Sequence, residues 1–228
     1  MENPAPLLLA LDTATSGCSV ALWRAGETLA RRAEVMPRGQ SEALLPMVKA
    51  VMQETGLTFD AVDRLVVTVG PGAFTGLRIG LAAARGLALA MNRPIVPVTT
   101  TEAVAQGVPP AERRGRSVVV ILDSKRADFF VQCFDPALTP LGEPAALAPE
   151  ALADGLPAGP LLLVGDGVDK AGAHLPGRDV RVSTAASLPD PAHMAALAAD
   201  REAVSHPTPL YLRPPDAKLP KDGGRLRP

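Results

Sequence analysis

Two aspartates, each ending an apolar run, are the residues of this sequence whose type and surroundings could do chemistry. "LLLALD" closes on Asp12 and leads into Thr13, Ala14, Thr15 and Ser16; "SVVVILD" closes on Asp123 and leads into Ser124 and Lys125. Carboxylates placed this way stand where parallel α/β sheets bind their ligands, beyond the carboxyl ends of the strands. A third element, "LVVTVGPGAFTG", halts an apolar run at Gly70, Pro71 and Gly72 and opens a helical pattern, with Thr75 as a cap or hydroxyl donor and Arg78 one turn further in. Free amides and the positive helix end make such a turn an anion site. No lysine follows at P-loop spacing, however, and the turn is not the dinucleotide fingerprint. Phosphate binding and plain tight-turn geometry stay equally open on the turn alone. His174, His193 and His206 lack metal-ligand spacing, and no serine or cysteine has a histidine at a plausible triad spacing. Cys18 and Cys133 read as reduced, half-buried thiols. No catalytic residue and no metal site are therefore assigned.

The elements that must position these residues follow from periodicity. Strands are expected over 7–12, 17–23 and 27–35, then a helix in "SEALLPMVKAVMQETG" stopped by Gly56, with Pro46 kinking it or marking its first turn. A strand over 63–69, a helix from about 74 to 91 and a strand over 94–98 follow. A comparable order then restarts, with "SVVVILD", the alternating "ADFFVQCF", and "PLLLVGDG" echoing "LVVTVGPG". This reads as a duplicated lobe with mainly parallel sheets, helices packed on them, and ligands beyond the strands' carboxyl ends. Asp12, residues 70–72, Asp123 and residues 165–167 should then look toward one cleft. Residues 136–160 read as a Pro/Ala-rich connection with one short helix near "PEALADG", and "PDPAHMAALAADREAV" as a late helix. The expected division is 1–102 for the first lobe, 103–205 for a smaller second lobe, and 206–228 for an extension whose "KLPKDGGRLRP" end is solvated and disordered.

Composition bounds the partners. Across 228 residues, 47% are hydrophobic and 21% charged, which is that of a soluble globular chain. The 23 basic residues against 24 acidic ones leave a net charge of -1, which excludes nucleic-acid binding by bulk charge. The opening "MENPAPLLLALD" has no basic stretch and too short an apolar run for a signal peptide or membrane span, so a cytoplasmic location is expected.

The helix after the glycine turn raises a question of its own. Gly76, Gly80 and Gly86 each cost roughly 1 kcal/mol relative to alanine in a helix interior. At 100° per residue, Phe74, Leu77, Leu81, Ala84 and Ala88 form one apolar stripe for the helix's own sheet. Gly76, Gly80, Ala83, Leu87 and Ala90 form a second, wide face, edged by Ile79 and Gly86, and only Arg78 and Arg85 carry charge. Small residues let another helix approach closely. The expected partner surface thus combines Gly76, Gly80, Ala83 and Leu87 with Leu44, Val48, Val51 and Met52 of the first helix; the alternative is a helix enclosed in its own lobe. On the first reading Gly80→Leu breaks pairing and leaves the lobe folded.

"LALDTATSGCSVAL", "GPGAFTGLRIG" with its helix, and "PLYLRPPDAKLP" resemble, in that order, the TsaB family, also called YeaZ. The family usually has serine where Ala73 stands. The resemblance implies a two-lobed actin-like, Hsp70-like and sugar-kinase fold of RNase H-like repeats. It also implies a non-catalytic dimerisation subunit in making N6-threonylcarbamoyladenosine at position 37 of tRNAs reading ANN codons. Its implied partners are a TsaD-like catalytic subunit, which holds the metal and transfers the group, a TsaE-like ATPase, tRNA through the complex, and a second copy in isolation. "RGQSEALLPMVK" lacks the histidine pair through which the catalytic relative ligates metal. The first loop lacks the glycine usual two residues after the aspartate, so Asp12, Thr13, Thr15 and Ser16 read as a vestigial loop. No cofactor is expected for the chain by itself, with weak ATP or ADP and magnesium left open at the cleft or complex interface. The alternative functions are an ATP-binding phosphotransferase or ATPase of the same fold and a glycoprotease-like peptidase.

Overall fold

The computed structural model describes residues 5–213; the "KLPKDGGRLRP" end lies outside them. Alternation in the first third builds a meander of β1 (Leu8–Asp12), β2 (Gly17–Arg24) and β3 (Glu27–Val35). Helix α1 (Gln40–Thr55) ends at Gly56, whose φ of 66° is the left-handed cap that glycine supplies cheaply. Pro46 sits inside α1, beyond its first turn. Then come β4 (Arg64–Gly70), α2 (Phe74–Met91) and β5 (Ile95–Thr99). The strands order as β3-β2-β1-β4-β5, with β1, β4 and β5 parallel and the hairpins antiparallel.

The second sheet repeats the plan. β6 (Ser117–Asp123) and β7 (Phe129–Phe134) pair antiparallel, β8 (Ala145–Leu147) flanks β7, and β9 (Leu161–Val164) and β10 (Val180–Val182) lie parallel to β6. The order β10-β9-β6-β7-β8 matches the first sheet strand for strand. β8 and β10, three residues each, were not expected. "AAL" inside a Pro/Ala-rich stretch carries no alternation to read.

Helices join the lobes crosswise. α3 (Thr100–Gln106), after β5, places Val104 and Ala105 on the second sheet with Val118, Val120 and Leu122. α6 (Pro191–Ala198), late in the chain, places Met194, Ala195 and Ala198 on the first sheet with Leu8, Ala10 and Val66. Short helices α4 (Pro110–Arg113) and α5 (Val168–Ala171) complete the second lobe. Glu102 closes a capping box with Thr99 at the start of α3 and pairs with Arg201 beyond α6 at 2.8 Å, clamping the two crossing helices. By length and composition α2 is apolar enough to cross a membrane. In the fold its Leu81, Ala84 and Ala88 pack into the first lobe's core with Leu9, Leu11 and Val67.

Candidate functional site

The β1–β2 loop is pressed onto α2. Thr13 Oγ1 donates to the Gly76 carbonyl at 2.7 Å, and the Ala73 amide at the helix entry donates to the Ala14 carbonyl at 2.7 Å. A Cβ at Gly72 would stand 2.2 Å from the Ala14 oxygen, one at Gly76 2.1 Å from the Thr13 oxygen, and one at Gly80 2.7 Å from Thr13 Oγ1. Contacts that short exist only because those residues are glycines. Gly72, Gly76 and Gly80 therefore receive the chain's own loop, while Gly86 has open space beside it. Ala73 is the N-cap residue and Thr75 is exposed in the first turn, so of the two roles open to Thr75 it does not take that of the cap. Gly70, at φ 114°, lies against the Leu210 carbonyl.

Asp12 stands behind this loop, 1% exposed, with Oδ1 accepting from Thr68 Oγ1 at 2.6 Å and from the Ala14 amide at 3.0 Å. Burial drives its carboxyl up to about 6, against the lowering by those hydrogen bonds. Thr15 Oγ1 is buried with no hydrogen-bond partner, and the Ser16 carbonyl is taken by the Met36 amide. In the second lobe, Lys170 and Lys125 contact Asp123 at 2.7 and 3.2 Å, while the Asp123 amide donates to Asp166. Burial works to raise the Asp123 carboxyl, and the hydrogen bonds from Lys170 and Lys125 outweigh it, leaving it below its ordinary value. Amides that would have to cradle phosphates, those of Ala14, Asp123 and Lys125, are occupied by the chain's own carboxylates.

The residues expected to face a partner are mostly enclosed. Leu44, Val48, Val51 and Met52 lie in the core of the first lobe between α1 and its sheet. That stripe serves α1's own sheet. Gly76 and Gly80 are covered by Thr13, and Ala83 and Leu87 are half-buried against the same core. What α2 leaves open is a strip one step round, comprising Ala82, Gly86, Leu89 at 85% exposure, and Ala90. Leu45 of α1, 53% exposed, is apolar and open as well. Periodicity had placed only Gly86 and Ala90 on or near this strip.

Arg78 and Arg85 hold the end of the described chain. The Arg78 guanidinium lies 3.8 Å from the Phe74 ring centre and donates to the Tyr211 hydroxyl, and Tyr211 packs on Phe74 with centroids 5.3 Å apart. Arg85 donates to the Pro207 carbonyl at 2.6 Å, and the Leu210 amide to Val69 at 2.7 Å. Arg213 then pairs with Asp128 of the second lobe and lies over Phe130. Residues 204–213 thus strap α2 and tie the lobes. Phe74, expected on the sheet-facing stripe, turns outward to this strap.

Among the described residues no cluster of histidine, cysteine or acidic side chains could hold a metal. Both thiols are free, and burial drives each up to about 11, with Asp12 and Glu34 adding to the effect at Cys18.

Comparison with known proteins places this geometry. A family model described as TsaD, tRNA N6-adenosine threonylcarbamoyltransferase, matches residues 32–154. The Escherichia coli tRNA threonylcarbamoyladenosine biosynthesis protein TsaB is 43% identical over 100 residues, 44% of this chain and 43% of that protein. The match thus spans about half the length of the curated relatives it meets first. YeaZ from Pseudomonas aeruginosa superposes with a TM-score of 0.79 at 34% identity, covering 91% of this chain and 100% of that one. The fold alone is shared, at a TM-score of 0.50 and 11% identity over 85% of this chain and 94% of that one, with the 2-hydroxyisocaproyl-CoA dehydratase activator of Clostridium difficile.

Proposed function

The chain belongs to the TsaB/YeaZ family, and from that premise we propose that it is a non-catalytic subunit of the machinery that makes N6-threonylcarbamoyladenosine in tRNA. It does its work by docking to a TsaD-type catalytic subunit. The observation that carries this reading is the closed loop, where Thr13 is bolted to Gly76 while Asp12 and Asp123 are engaged by internal partners. Opening the first loop for phosphoryl transfer would mean breaking the buried Thr13–Gly76 and Thr68–Asp12 hydrogen bonds, each at the cost of an unsatisfied polar group.

The docking surface of this reading is the strip of Ala82, Gly86, Leu89 and Ala90 with Leu45 beside it. Small residues flanking one large exposed leucine let a second helix pair pack closely and give it one apolar anchor. The matching face of a TsaD-type lobe is its occupant, and in that partner's absence a second copy takes its place. A TsaE-type ATPase joins the pair, and tRNA is reached through the assembly. The two loops hold no nucleotide of the chain's own.

The test is reconstitution. Purified TsaD-type and TsaE-type partners, tRNA, ATP and the threonylcarbamoyl donor should give modified tRNA only when this chain is added. A variant with Asp123 and Lys170 both replaced by alanine should support the reaction normally. Loss of modification by that folded, still-docking variant favours an ATPase or phosphotransferase in its place.

A further inference from the structure

A cavity of about 380 Å³ opens on the α6-covered face of the first sheet, between the strands and residues 186–190. Asp12, Ser19, Arg31 and Ala33 form its sheet side, and Leu188 and Pro189 stand opposite. Asp12 and Ser19 are register partners across β1 and β2, as are Ser19 and Ala33 across β2 and β3, so their side chains stand in one row. Ser19 is 4% exposed and its Oγ has no hydrogen-bond partner. Thr15 Oγ1, close to Gly17 at the cavity's edge, is buried and unpartnered too.

The charge in the cavity is one-sided. Asp12 receives hydrogen bonds from a hydroxyl and from backbone, with no ion pair to it among the described residues. Arg31, the one basic side chain in the lining among the described residues, is held by Asp190 at 2.9 Å. A buried carboxylate without a counter-charge, beside an orphaned hydroxyl, is an incomplete arrangement that a cation completes. Anions are disfavoured by the unpaired Asp12 in the lining, since Asp190 is engaged by Arg31. A divalent metal would find one buried, unpaired carboxylate, Asp12, beside the Ser19 hydroxyl and would have to draw most of its oxygen shell from water. An ammonium group has three donors for those oxygens, and Leu188 and Pro189 suit a short carbon chain.

We propose that this cavity binds a small organic ammonium compound, its nitrogen on the Asp12 carboxylate and Ser19 hydroxyl and its carbon chain against Leu188 and Pro189. Binding there is independent of the α2 docking strip, so either can fail without the other.

The experiment titrates the isotope-labelled full chain at pH 8 with n-butylammonium chloride, n-butanol, sodium butyrate and potassium chloride, following amide shifts at Ser19, Ala33 and Leu188. Butylammonium should give saturable shifts, butanol and butyrate none, and potassium none at equal concentration. Asp12→Asn and Ser19→Ala, each checked for a native-like spectrum, should weaken binding at least roughly tenfold and threefold, the losses of a charged and a neutral partner. Equal shifts from butanol, equal binding by a folded Asp12→Asn chain, or saturation by potassium as tight as by butylammonium would each overturn the proposal.

Discussion

The Thr13 carbonyl and the Gly76 Cα approach so closely that a methyl group on Gly76 would sit 2.1 Å from that oxygen, while Thr13 Oγ1 donates back to the Gly76 carbonyl. The β1–β2 loop is locked to a helix. The glycines that make the helix costly are what permit the lock.

The first expectation concerns those glycines. Gly76→Ala gains up to about 1 kcal/mol of helix propensity but forces backbone against backbone, for which overpacking costs of about 1 to 3 kcal/mol are typical. Gly86, with nothing within 4 Å of its missing Cβ, feels only the gain. Urea denaturation of the isolated chain should therefore find Gly76→Ala destabilised and Gly86→Ala stabilised. Equal effects at the two positions would mean the loop does not press on α2.

Asp12 gives a pH dependence with a definite sign. Its folded carboxyl, raised to about 6 from an ordinary 3.8, binds its proton more tightly than the unfolded chain does. Its contribution to stability is fully present below pH 3.8 and is lost as pH rises through 6, a penalty on the order of 3 kcal/mol at neutral pH. Asp12→Asn should stabilise the chain at pH 7.5 and leave it unchanged near pH 3.5, read as the difference between paired denaturation curves. A pH-independent difference would contradict the burial cost.

The strap makes a third expectation. Arg85→Ala removes the bond to the Pro207 carbonyl and loosens residues 207–211. Hydrogen exchange at the Leu210 amide, now donating to Val69, should quicken by roughly tenfold, the worth of about 1.4 kcal/mol, with β1 and β4 amides unaffected. Uniform acceleration throughout the first lobe would mean Arg85 supports the core itself.

Much of the fold was legible in the sequence. The lobe repeat and the ends of β3, α2 and β6 follow from alternation and from Asp and Gly punctuation. α3 was missed although Thr99-Thr100-Thr101-Glu102 spells a capping box, because the helix is only seven residues long. Partner residues were the hardest to read. An apolar stripe on α1 looks the same whether it meets its own sheet or another chain, and a small-residue face does not say whether a helix or a loop fills it. Leu89 at 85% exposure was visible only once the sheet's side of α2 was known. For the same reason Gly80→Leu, which would drive a side chain into Thr13 Oγ1, is a test of the lobe's stability and not of docking.

Docking through α2 is the central claim, and Leu89→Asp tests it most directly. The substitution changes an exposed side chain, so the isolated variant should fold with native stability within about 0.5 kcal/mol. Mixed with a TsaD-type subunit it should bind at least roughly a hundredfold more weakly, as burying an unpaired charge in an interface costs about 3 kcal/mol or more, and tRNA modification should fall with it. Native affinity and full modification by a folded Leu89→Asp chain would contradict the account.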